Sequence, residues 1–478
     1  MKLNLFPEPK VCDLTDAPAV VCAFAIHTQC KEFTEAAQVF STYFQKLYGT
    51  ALTDAQGGIE LIYNGTIRSD GYTLDTVDGV KLYASSAEGI RYALASMLQI
   101  LSFKKGIFTL PSVHIEDYPD KDYRALMVDL ARKFHPAKTV FQYIDLCFLY
   151  KTKYLHLHFI DDQLYTLPSK EFPLMPTKDK SYSFEDIQAF NDYAKARGVI
   201  LVPEFEAPGH AASLNLAYPE LFGNKLEKSG ATLITENGDA ISVDSIICAG
   251  SEASMNAMHA MVKEICEMFP DAPYIHIGGD EANIDAWNDC TVCKQYMKDN
   301  GIEDVYELYS DFIARVSRMV LAEGRTPIVW EGFPVKGAER IPKETIVIAW
   351  ESHYHLPQEL LDEGFRIINA AWQPLYIVSS LVRRWYAKDI LNWNVYNWQH
   401  WWNESAATFN PINVTPTENV LGAEICAWGC TFEQEIGLVM ENLAALTERT
   451  WNVKRKSDLN EMLENMERLL SLASNLIA

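Results

Sequence analysis

The sequence predicts an α/β protein, a (β/α)8 TIM barrel preceded by a small α+β domain. Its 478 residues exceed the size of one ordinary domain, and hydrophobic residues make up 48% of them, enough for a large core. Beyond residue 118, short apolar segments alternate with helical patterns. Strand–helix units repeated over roughly 330 residues are typical of this barrel.

The N-terminal part has the pattern of a compact mixed domain. Predicted strands lie at Ile59–Tyr63, Tyr72–Val77 and Val80–Ser85. Residues Glu88–Leu101 place apolar side chains at helical spacing, so this helix should cover one face of the sheet. The polar, proline-containing segment Ile115–Asp120 is the predicted boundary. We therefore predict an N-terminal domain over residues 1–117, a catalytic barrel over 118–455 and a C-terminal helix packed on the barrel over 456–478.

The barrel strands are predicted from short apolar runs, with helices between most of them. The helices include Phe184–Arg197, Ser251–Met268 and Val305–Glu323, and the tail Leu459–Ala478 has the spacing of an amphipathic helix. The predicted strands are Ala125–Leu130, Tyr154–Ile160, Val199–Phe205, Tyr274–Ile277, Pro327–Trp330, Thr345–Trp350, Arg366–Ala371 and Val420–Ala427.

The charge balance excludes some classes of partner. The chain has 41 basic and 64 acidic residues and a net charge of −23, with no extended basic cluster. We therefore expect no binding to nucleic acid or to an anionic membrane. The apolar run Ala17–Ile26 is too short to span a bilayer, and the N-terminus lacks the pattern of a signal peptide, so we expect a soluble cytoplasmic protein.

In that compartment the ten cysteines should be mostly free thiols. Cys290 and Cys293 form a tight C-x-x-C pair, and Cys426 and Cys430 are also close in sequence. A structural zinc site would need a second pair beside the first. We predict a thiol pair at Cys290 and Cys293, with a disulfide or a metal site as the alternatives. No metal or cofactor is expected in the functional site.

The run Gly278-Gly279-Asp280-Glu281 is the most informative motif. It follows an apolar strand, and small residues let the chain bend sharply and let a ligand approach. Two adjacent, partly desolvated carboxyls repel each other, so their pKa values should be driven apart. One acid can then donate a proton at neutral pH while the other stays charged. An acidic surface loop is the alternative interpretation.

The other predicted strands also end in residues that can bind or react. Each one alone is explained by packing, helix capping or a surface ion pair, but together they should meet at the carboxyl ends of the barrel strands. His156 and His158 are expected to face opposite sides of their strand, which weakens a metal site built from them and His210. The strand-end residues are Arg132, Asp161, Asp162, Glu204, Glu206, His210, Asp280, Glu281, Trp330, Glu331, Trp350, Glu351, Trp372, Tyr376 and Trp428.

Tryptophans around paired acids are what a saccharide pocket requires. Indoles contact the apolar faces of sugars, and charged groups bind hydroxyls and move protons. With these residues in this order, the chain resembles a β-N-acetylhexosaminidase of glycoside hydrolase family 20. The segments that carry the resemblance are Tyr123–Arg132, His156–Gln163, Pro203–His210 and His276–Glu281.

The resemblance implies exo-acting, retaining hydrolysis of terminal β-linked N-acetylglucosamine or N-acetylgalactosamine. The acetamido oxygen of the substrate would act as nucleophile and form an oxazolinium ion. Glu281 would be the acid/base, and Asp280 would orient the acetamido group. The remaining matches imply that Asp161 and His210 tune Glu281, that Tyr376 contacts the acetamido oxygen, and that sugar-binding roles fall to Arg132, Trp330, Trp350 and Trp428.

Three positions depart from the family pattern. Tyr165 replaces a tryptophan, and Val378 and Cys430 replace acids that commonly contact the hydroxyls at carbons 4 and 6. Glu433 or Asn394 is the predicted substitute for those acids. The preference for one sugar epimer is therefore open, and a 6-sulfated sugar or a disaccharide unit are alternatives within the same class.

Two further alternatives belong to other classes, a glycan-binding barrel without activity and a metal-dependent hydrolase. The first has no need of Asp280 and Glu281 as a pair. The aromatic segment Trp385–Trp402 is predicted to form either part of the pocket, as a lid or second subsite, or the contact of a homodimer.

Overall fold

The computed structural model describes residues 3, 5–225, 232–234, 240–242, 245–378, 383–454 and 457–478. Within these ranges the chain forms a mixed N-terminal sheet, a closed parallel barrel and a final helix. No helix among the described residues has the length and apolar character needed to cross a membrane.

The N-terminal domain is built on a six-stranded mixed sheet with the order β1-β9-β5-β6-β4-β3, and β2, β8 and β7 form a second small sheet. Helix α2 begins after Ser86, whose side chain accepts a hydrogen bond from the Gly89 N–H, and its apolar face is buried on the main sheet. The elements are β1 (Val11–Leu14), β2 (Val20–Val21), β3 (Ile26–Thr28), α1 (Thr34–Tyr48), β4 (Ile59–Tyr63), β5 (Tyr72–Asp75), β6 (Val80–Ala84), α2 (Ala87–Ile100), β7 (Ser102–Lys104), β8 (Ile107–Leu110) and β9 (Val113–Asp117).

Eight parallel strands form the barrel, which closes through pairing of its first and last strands. Their side chains are almost all buried, as expected when helices cover the outer face and side chains fill the interior. In chain order the barrel strands are β10 (Tyr123–Asp129), β11 (Tyr154–His158), β12 (Ile200–Glu204), β15 (Tyr274–His276), β16 (Thr326–Trp330), β17 (Ile346–Ala349), β18 (Arg366–Asn369) and β22 (Val420–Trp428). The short strands between them are β13 (Thr232–Ile234), β14 (Ala240–Ser242), β19 (Tyr376–Val378), β20 (Asn397–Trp398) and β21 (Ile412–Asn413).

Helices connect the barrel strands and cap their own ends. Ser183 and Asp186 form a capping box at the start of α4, and Asp304 caps α10 through the N–H groups of Tyr306 and Glu307. The helices are α3 (Ala137–Tyr150), α4 (Phe184–Arg197), α5 (Ala212–Ala217), α6 (Pro219–Phe222), α7 (Glu252–Met268), α8 (Ala286–Asp289), α9 (Thr291–Asn300), α10 (Val305–Ala322), α11 (Pro357–Asp362), α12 (Trp372–Leu375), α13 (Ala387–Asn392), α14 (Phe432–Trp451) and α15 (Leu459–Ile477), with short 3₁₀ turns at Lys31–Phe33 and Ala338–Arg340.

The predicted fold class, a (β/α)8 barrel preceded by a small mixed domain, is confirmed. Each predicted barrel strand coincides with an observed one, and the ends differ by one or two residues. Of the predicted strand ends beyond β11, the Phe159 N–H still donates to the Glu204 carbonyl at the end of β12, whereas Ile160 forms an isolated antiparallel bridge with Tyr165.

The boundary between the two domains is buried rather than a flexible linker. Asp117 ends β9 and is 1% exposed. Its carboxylate forms an ion pair with Lys151 Nζ at 3.3 Å and accepts a hydrogen bond of 2.8 Å from Trp451 Nε1. The N-terminal domain therefore packs directly against the first and last helices of the barrel. The C-terminal helix α15 packs against α3, α13 and α14 of the barrel, and also against α1.

Candidate active site

A cavity of about 260 Å³ opens at the carboxyl ends of the barrel strands. It holds two acids, one arginine and four aromatic rings. Its lining residues are Arg132, Asp280, Glu281, Trp350, Trp372, Tyr376, Val378, Trp428 and Gly429. A larger cavity of about 660 Å³ lies beside the N-terminal domain, but no acid or histidine is among the described residues that line it.

The two glycines before the acids are required by the turn that presents them. Gly278 has φ of +69° and Gly279 has φ of +98°, which L side chains rarely adopt. A Cβ atom on Gly278 would lie 1.9 Å from Glu206 Oε1, and one on Gly279 would lie 2.4 Å from Val329 Cγ2. The Gly279 N–H donates to Glu206 Oε1 at 3.0 Å. The buried Glu206 thus holds the turn that carries Asp280 and Glu281.

Glu281 and His210 face each other at the edge of the cavity. Glu281 Oε2 lies 3.3 Å from His210 Nε2, and the Glu281 side chain is half exposed while His210 is largely buried. Both residues have positive φ, +46° for Glu281 and +47° for His210. Left-handed backbone at non-glycine residues is uncommon and concentrates at functional sites. The strained backbone at His210 and at Glu281 therefore brings these two side chains together.

A chain of polar contacts leads from His210 to the arginine in the cavity. His210 Nδ1 lies 3.5 Å from Asp161 Oδ1, and Arg132 Nη2 lies 2.9 Å from Asp161 Oδ2. His158 Nε2 also contacts Asp161 Oδ2, at 2.9 Å. Burial disfavours the charged form of His210, but the negative charge of Asp161 outweighs it and holds the pKa of His210 well above its ordinary value. Asp161 lies beneath the cavity and reaches it only through these neighbours.

Asp280 is buried in the cavity wall, 7% exposed. Its Oδ1 atom has no hydrogen-bond partner among the described residues, and its Oδ2 atom lies 4.0 Å from His210 Nε2. Burial raises the pKa of Asp280 to about 7, although the charge of His210 acts in the opposite direction. The close contact with the His210 imidazole lowers the pKa of Glu281.

The pKa values of the two acids are therefore driven apart, with that of Asp280 raised and that of Glu281 lowered. This order is the reverse of the one that the family resemblance implies, in which Glu281 carries the proton and Asp280 the charge. It follows from the deeper burial of Asp280 and from His210, which lies closer to Glu281 than to Asp280. A bound substrate would have to reverse this order for the implied reaction.

Below the cavity, the Glu204 carboxylate contacts three histidines and a tryptophan. The sequence did not predict this central position. Glu204 Oε1 accepts a hydrogen bond from Trp330 Nε1 at 2.6 Å and lies 2.9 Å from His276 Nδ1. Its other oxygen lies 3.1 Å from His156 Nε2 and 2.5 Å from His158 Nδ1. Burial alone would raise the pKa of Glu204, but the charges of these imidazoles hold it well below its ordinary range.

The expectation that His156 and His158 face opposite sides of their strand is wrong. Both rings contact the same oxygen of Glu204. Residues two positions apart in a strand share a face, because successive side chains alternate. The inward position of Glu204 on β12 follows from the same two-residue period.

Asp129 is a further site residue that the sequence did not predict. Its carboxylate accepts hydrogen bonds from the backbone N–H groups of Arg132 and Gly429 at 2.8 and 3.0 Å, and so joins the ends of β10 and β22.

Aromatic rings form one side of the cavity. Tyr376 stacks on Trp372 with ring centroids 4.3 Å apart and lies parallel to Trp350 at 6.0 Å. The guanidinium of Arg132 lies 4.7 Å from the Trp428 ring. Trp330, which the family resemblance implies as a wall residue, is 1% exposed and lies behind the wall, where its N–H bonds to Glu204.

One departure from the family pattern replaces an acid with an apolar side chain in the wall of the cavity. Val378 lines it, whereas Cys430 is 1% exposed and its carbonyl contacts His135 Nε2 at 2.8 Å. Neither Glu433 nor Asn394, the predicted substitutes, is among the described lining residues. Both are exposed elsewhere on the surface.

Most of the aromatic segment Trp385–Trp402 serves packing. Trp385, Trp393 and Trp398 are buried, and Trp398 Nε1 donates to the Ala349 carbonyl at 2.9 Å. Trp401 is half-buried and meets the cavity residue Trp372 edge-on at 5.6 Å. The end of the segment therefore supports the cavity from outside.

Two family models match this chain and cover almost all of it. The catalytic domain of glycosyl hydrolase family 20 matches residues 122–454, and domain 2 of the same family matches residues 2–118. The chain belongs to glycosyl hydrolase family 20. The predicted family is thereby confirmed, and the protein is a glycoside hydrolase.

Relatives of this family 20 hydrolase are spread across bacteria and eukaryotes. The β-hexosaminidase subunit beta of Entamoeba histolytica is 27% identical over 426 residues, which span 85% of this chain and 74% of the relative. The subunit beta of Sus scrofa is 28% identical over 438 residues, which span 87% and 77%.

Solved structures show the same fold at low identity. An exo β-N-acetylglucosaminidase from Vibrio harveyi, in complex with N-acetylglucosamine, has a TM-score of 0.85 at 21% identity and covers 99% of this chain and 77% of its own. A β-N-acetylhexosaminidase from Bacteroides fragilis has a TM-score of 0.80 at 20% identity and covers 98% and 96%.

Proposed function

We propose that this family 20 hydrolase is an exo-β-N-acetylhexosaminidase that removes single terminal β-linked N-acetylhexosamine residues. One observation carries the proposal. The two carboxyls that line the cavity, Asp280 and Glu281, are adjacent in the chain and share one wall. A hydrolase with its own nucleophile places two carboxyls on opposite sides of the sugar, about 5–5.5 Å apart. Here the nucleophile is supplied by the substrate.

The reaction then proceeds in two steps with retention of configuration. Glu281 gives its proton to the glycosidic oxygen while the acetamido oxygen attacks the anomeric carbon, which breaks the bond to the leaving alcohol. The product of this step is an oxazolinium ion. Glu281 next removes a proton from a water molecule, which attacks the same carbon and reopens the ring.

Asp280 stabilises the positive charge that develops on the acetamido nitrogen. Asp280 lines the cavity and its Oδ1 atom has no hydrogen-bond partner among the described residues, so the carboxylate can accept the N–H of that group. This contact favours the ionised form of Asp280. At the same time, the sugar removes water from Glu281, which favours its neutral form. Substrate binding reverses the proton order of the free pair in this way, since His210 lies near both acids.

The apolar Val378 in the cavity lining bears on the sugar preference. It stands where the family pattern commonly has an acid that contacts a sugar hydroxyl. A site that binds a hydroxyl with paired polar groups discriminates strongly, whereas an apolar wall does not. We therefore infer a weak preference between the gluco and galacto epimers.

Rates on matched 4-nitrophenyl glycosides test the proposal. N-acetyl-β-glucosaminide and N-acetyl-β-galactosaminide should both be hydrolysed, and the 6-sulfated sugar serves as the third substrate. The β-glucoside, which lacks the acetamido group, is the control and should not be hydrolysed. By NMR, the first product should be the β-anomer. A folded protein without turnover would instead be a binding barrel, and an initial α-anomer would contradict the mechanism.

The cytoplasmic location and the homodimer stay predictions. All ten cysteines are free in the structure, which is consistent with a reducing compartment.

A further inference from the structure

Three cysteines meet beneath the loops that carry the catalytic residues. Cys248 Sγ lies 3.6 Å from both Cys290 Sγ and Cys293 Sγ, and the three sulfur atoms all lie within 4.8 Å of one another. All three side chains are at most 1% exposed. The separations are far longer than the about 2.05 Å of a disulfide. Two thiolates bound to one zinc ion at about 2.3 Å, in tetrahedral geometry, lie about 3.8 Å apart.

We propose that Cys248, Cys290 and Cys293 form a structural site for one zinc ion, with Asn224 Oδ1 or a water molecule in the fourth position. Soft thiolate ligands in a closed, buried site select zinc among the available divalent cations. The sequence alone suggested a lone C-x-x-C pair. The missing ligand comes from Cys248, which lies 42 residues before Cys290.

The surroundings of the three sulfur atoms suit thiolates. The Gly250 N–H donates to Cys293 Sγ at 3.4 Å. Asn224 Oδ1 lies 3.9 Å from the same sulfur, and its Nδ2 is held by the Ile246 carbonyl at 2.7 Å, which turns the oxygen toward the cluster. N–H groups that point at sulfur are the usual outer support of a zinc–thiolate site.

The site joins the two segments that position His210 and Glu281. The segment before Cys248 is bonded to the His210 turn, since the Ile247 N–H donates to the Pro208 carbonyl and the Ala211 N–H to the Ser245 carbonyl. The segment from Glu281 leads through Trp287 to Cys290, and Trp287 Nε1 donates to the Ile247 carbonyl at 2.9 Å. A metal ion bound here would fix the relative position of these two segments.

The metal content of the unmodified full chain tests the proposal. The protein is purified without chelators or a histidine tag and analysed by elemental mass spectrometry. We expect one zinc ion per chain, released when a mercurial reagent blocks the thiols. Exchange for Co²⁺ should give the thiolate charge-transfer and ligand-field bands of tetrahedral cobalt.

A matched pair of variants assigns the site. Cys248→Ala should lose the zinc and the cobalt bands, whereas Cys266→Ala, which removes a buried thiol from α7 away from the cluster, should keep both. A chain with no bound zinc and no cobalt bands would overturn the proposal, and so would a disulfide among the three cysteines found by mass spectrometry. These readouts are independent of glycosidase activity, so a failure here leaves the proposed function standing.

Discussion

His210 Nε2 and Glu281 Oε2 lie 3.3 Å apart, and each belongs to a residue with left-handed backbone. The contact couples the acid/base carboxyl to the buried Asp161 and, through it, to Arg132 in the cavity. Whether Glu281 is protonated therefore depends on the contacts that link it to His210, Asp161 and Arg132. Glu281 is the exposed end of this network.

Replacement of Glu281 by glutamine should lower kcat by about 10²–10⁴-fold on substrates with poor leaving groups. The amide cannot donate the proton that the departing alcohol needs. On 4-nitrophenyl substrates, whose leaving group needs less protonation, the first step should suffer less. Steady-state kinetics on both substrate types check this. Glu433→Gln, which changes an exposed carboxyl outside the cavity, is the control. Wild-type rates in Glu281→Gln would refute the acid/base role.

The value of kcat/KM should fall as the pH rises above about 7. The reaction needs one proton on the acid pair, carried by Glu281, while Asp280 is ionised. Burial raises the pKa of Asp280 to about 7 and the pKa of Glu281 is lowered, so the last proton of the free pair is lost only above about pH 7. Above that pH no acid remains to protonate the glycosidic oxygen. A pH–rate profile of the free enzyme measures this limb. Asp280→Asn should be slower at every pH and should lack the limb near pH 7. An unchanged limb in the variant would assign it to another group.

A thiazoline analogue of the cyclised acetamide should bind at least about 10²-fold more tightly than N-acetylglucosamine, because it resembles the oxazolinium ion. Inhibition constants from competition kinetics give the ratio. Asp280→Asn should reduce the ratio, since the contact with the ring nitrogen is weakened. Equal affinity for the analogue and the sugar would point to a nucleophile on the enzyme.

Removal of the Trp372 indole should raise KM by about tenfold with a smaller change in kcat. An aromatic contact contributes about 0.5–1.5 kcal/mol beyond its buried area. Trp372 stacks on Tyr376 and lines the cavity, so it contacts sugar in the bound state and in the transition state alike. Kinetics of Trp372→Ala and of Trp402→Ala, a half-buried tryptophan outside the lining, separate the effects. A fall in kcat alone would contradict a binding role.

Alanine at Gly278 should destabilise the fold by more than about 3 kcal/mol, because left-handed backbone strain adds to a clash with the Glu206 carboxyl. Gly301→Ala is the matched control. It has φ of +65° and no atom within 4 Å of its Cβ position, so only about 1 kcal/mol of strain is expected. Urea unfolding of both variants measures the difference. Equal stabilities would show that the turn tolerates a side chain.

The sequence predicted the barrel and the acid pair because both depend on local patterns. Apolar strands at regular spacing predict the strand–helix units, and Gly278-Gly279 predicts a bend that only glycine allows. The proton order was not predictable, since it depends on how deeply each carboxyl is buried and on how far His210 lies from it. Glu204 could have been found from strand alternation with His156 and His158. Cys248 could not, because only the folded chain brings it to Cys290 and Cys293.

Through Asp117, the N-terminal domain contacts both the beginning and the end of the barrel sequence. Lys151 follows the helix after the first barrel strand, and Trp451 ends the helix after the last one. The Asp117 carboxylate binds both side chains, and it lies where the first and last strand–helix units of the barrel meet. A barrel cut free at residue 118 would lose Asp117 and Tyr72, which both bond to Lys151 Nζ, and would expose this face of the barrel to water. The small domain thus stabilises the closure of the barrel, and the two domains should unfold as one cooperative unit.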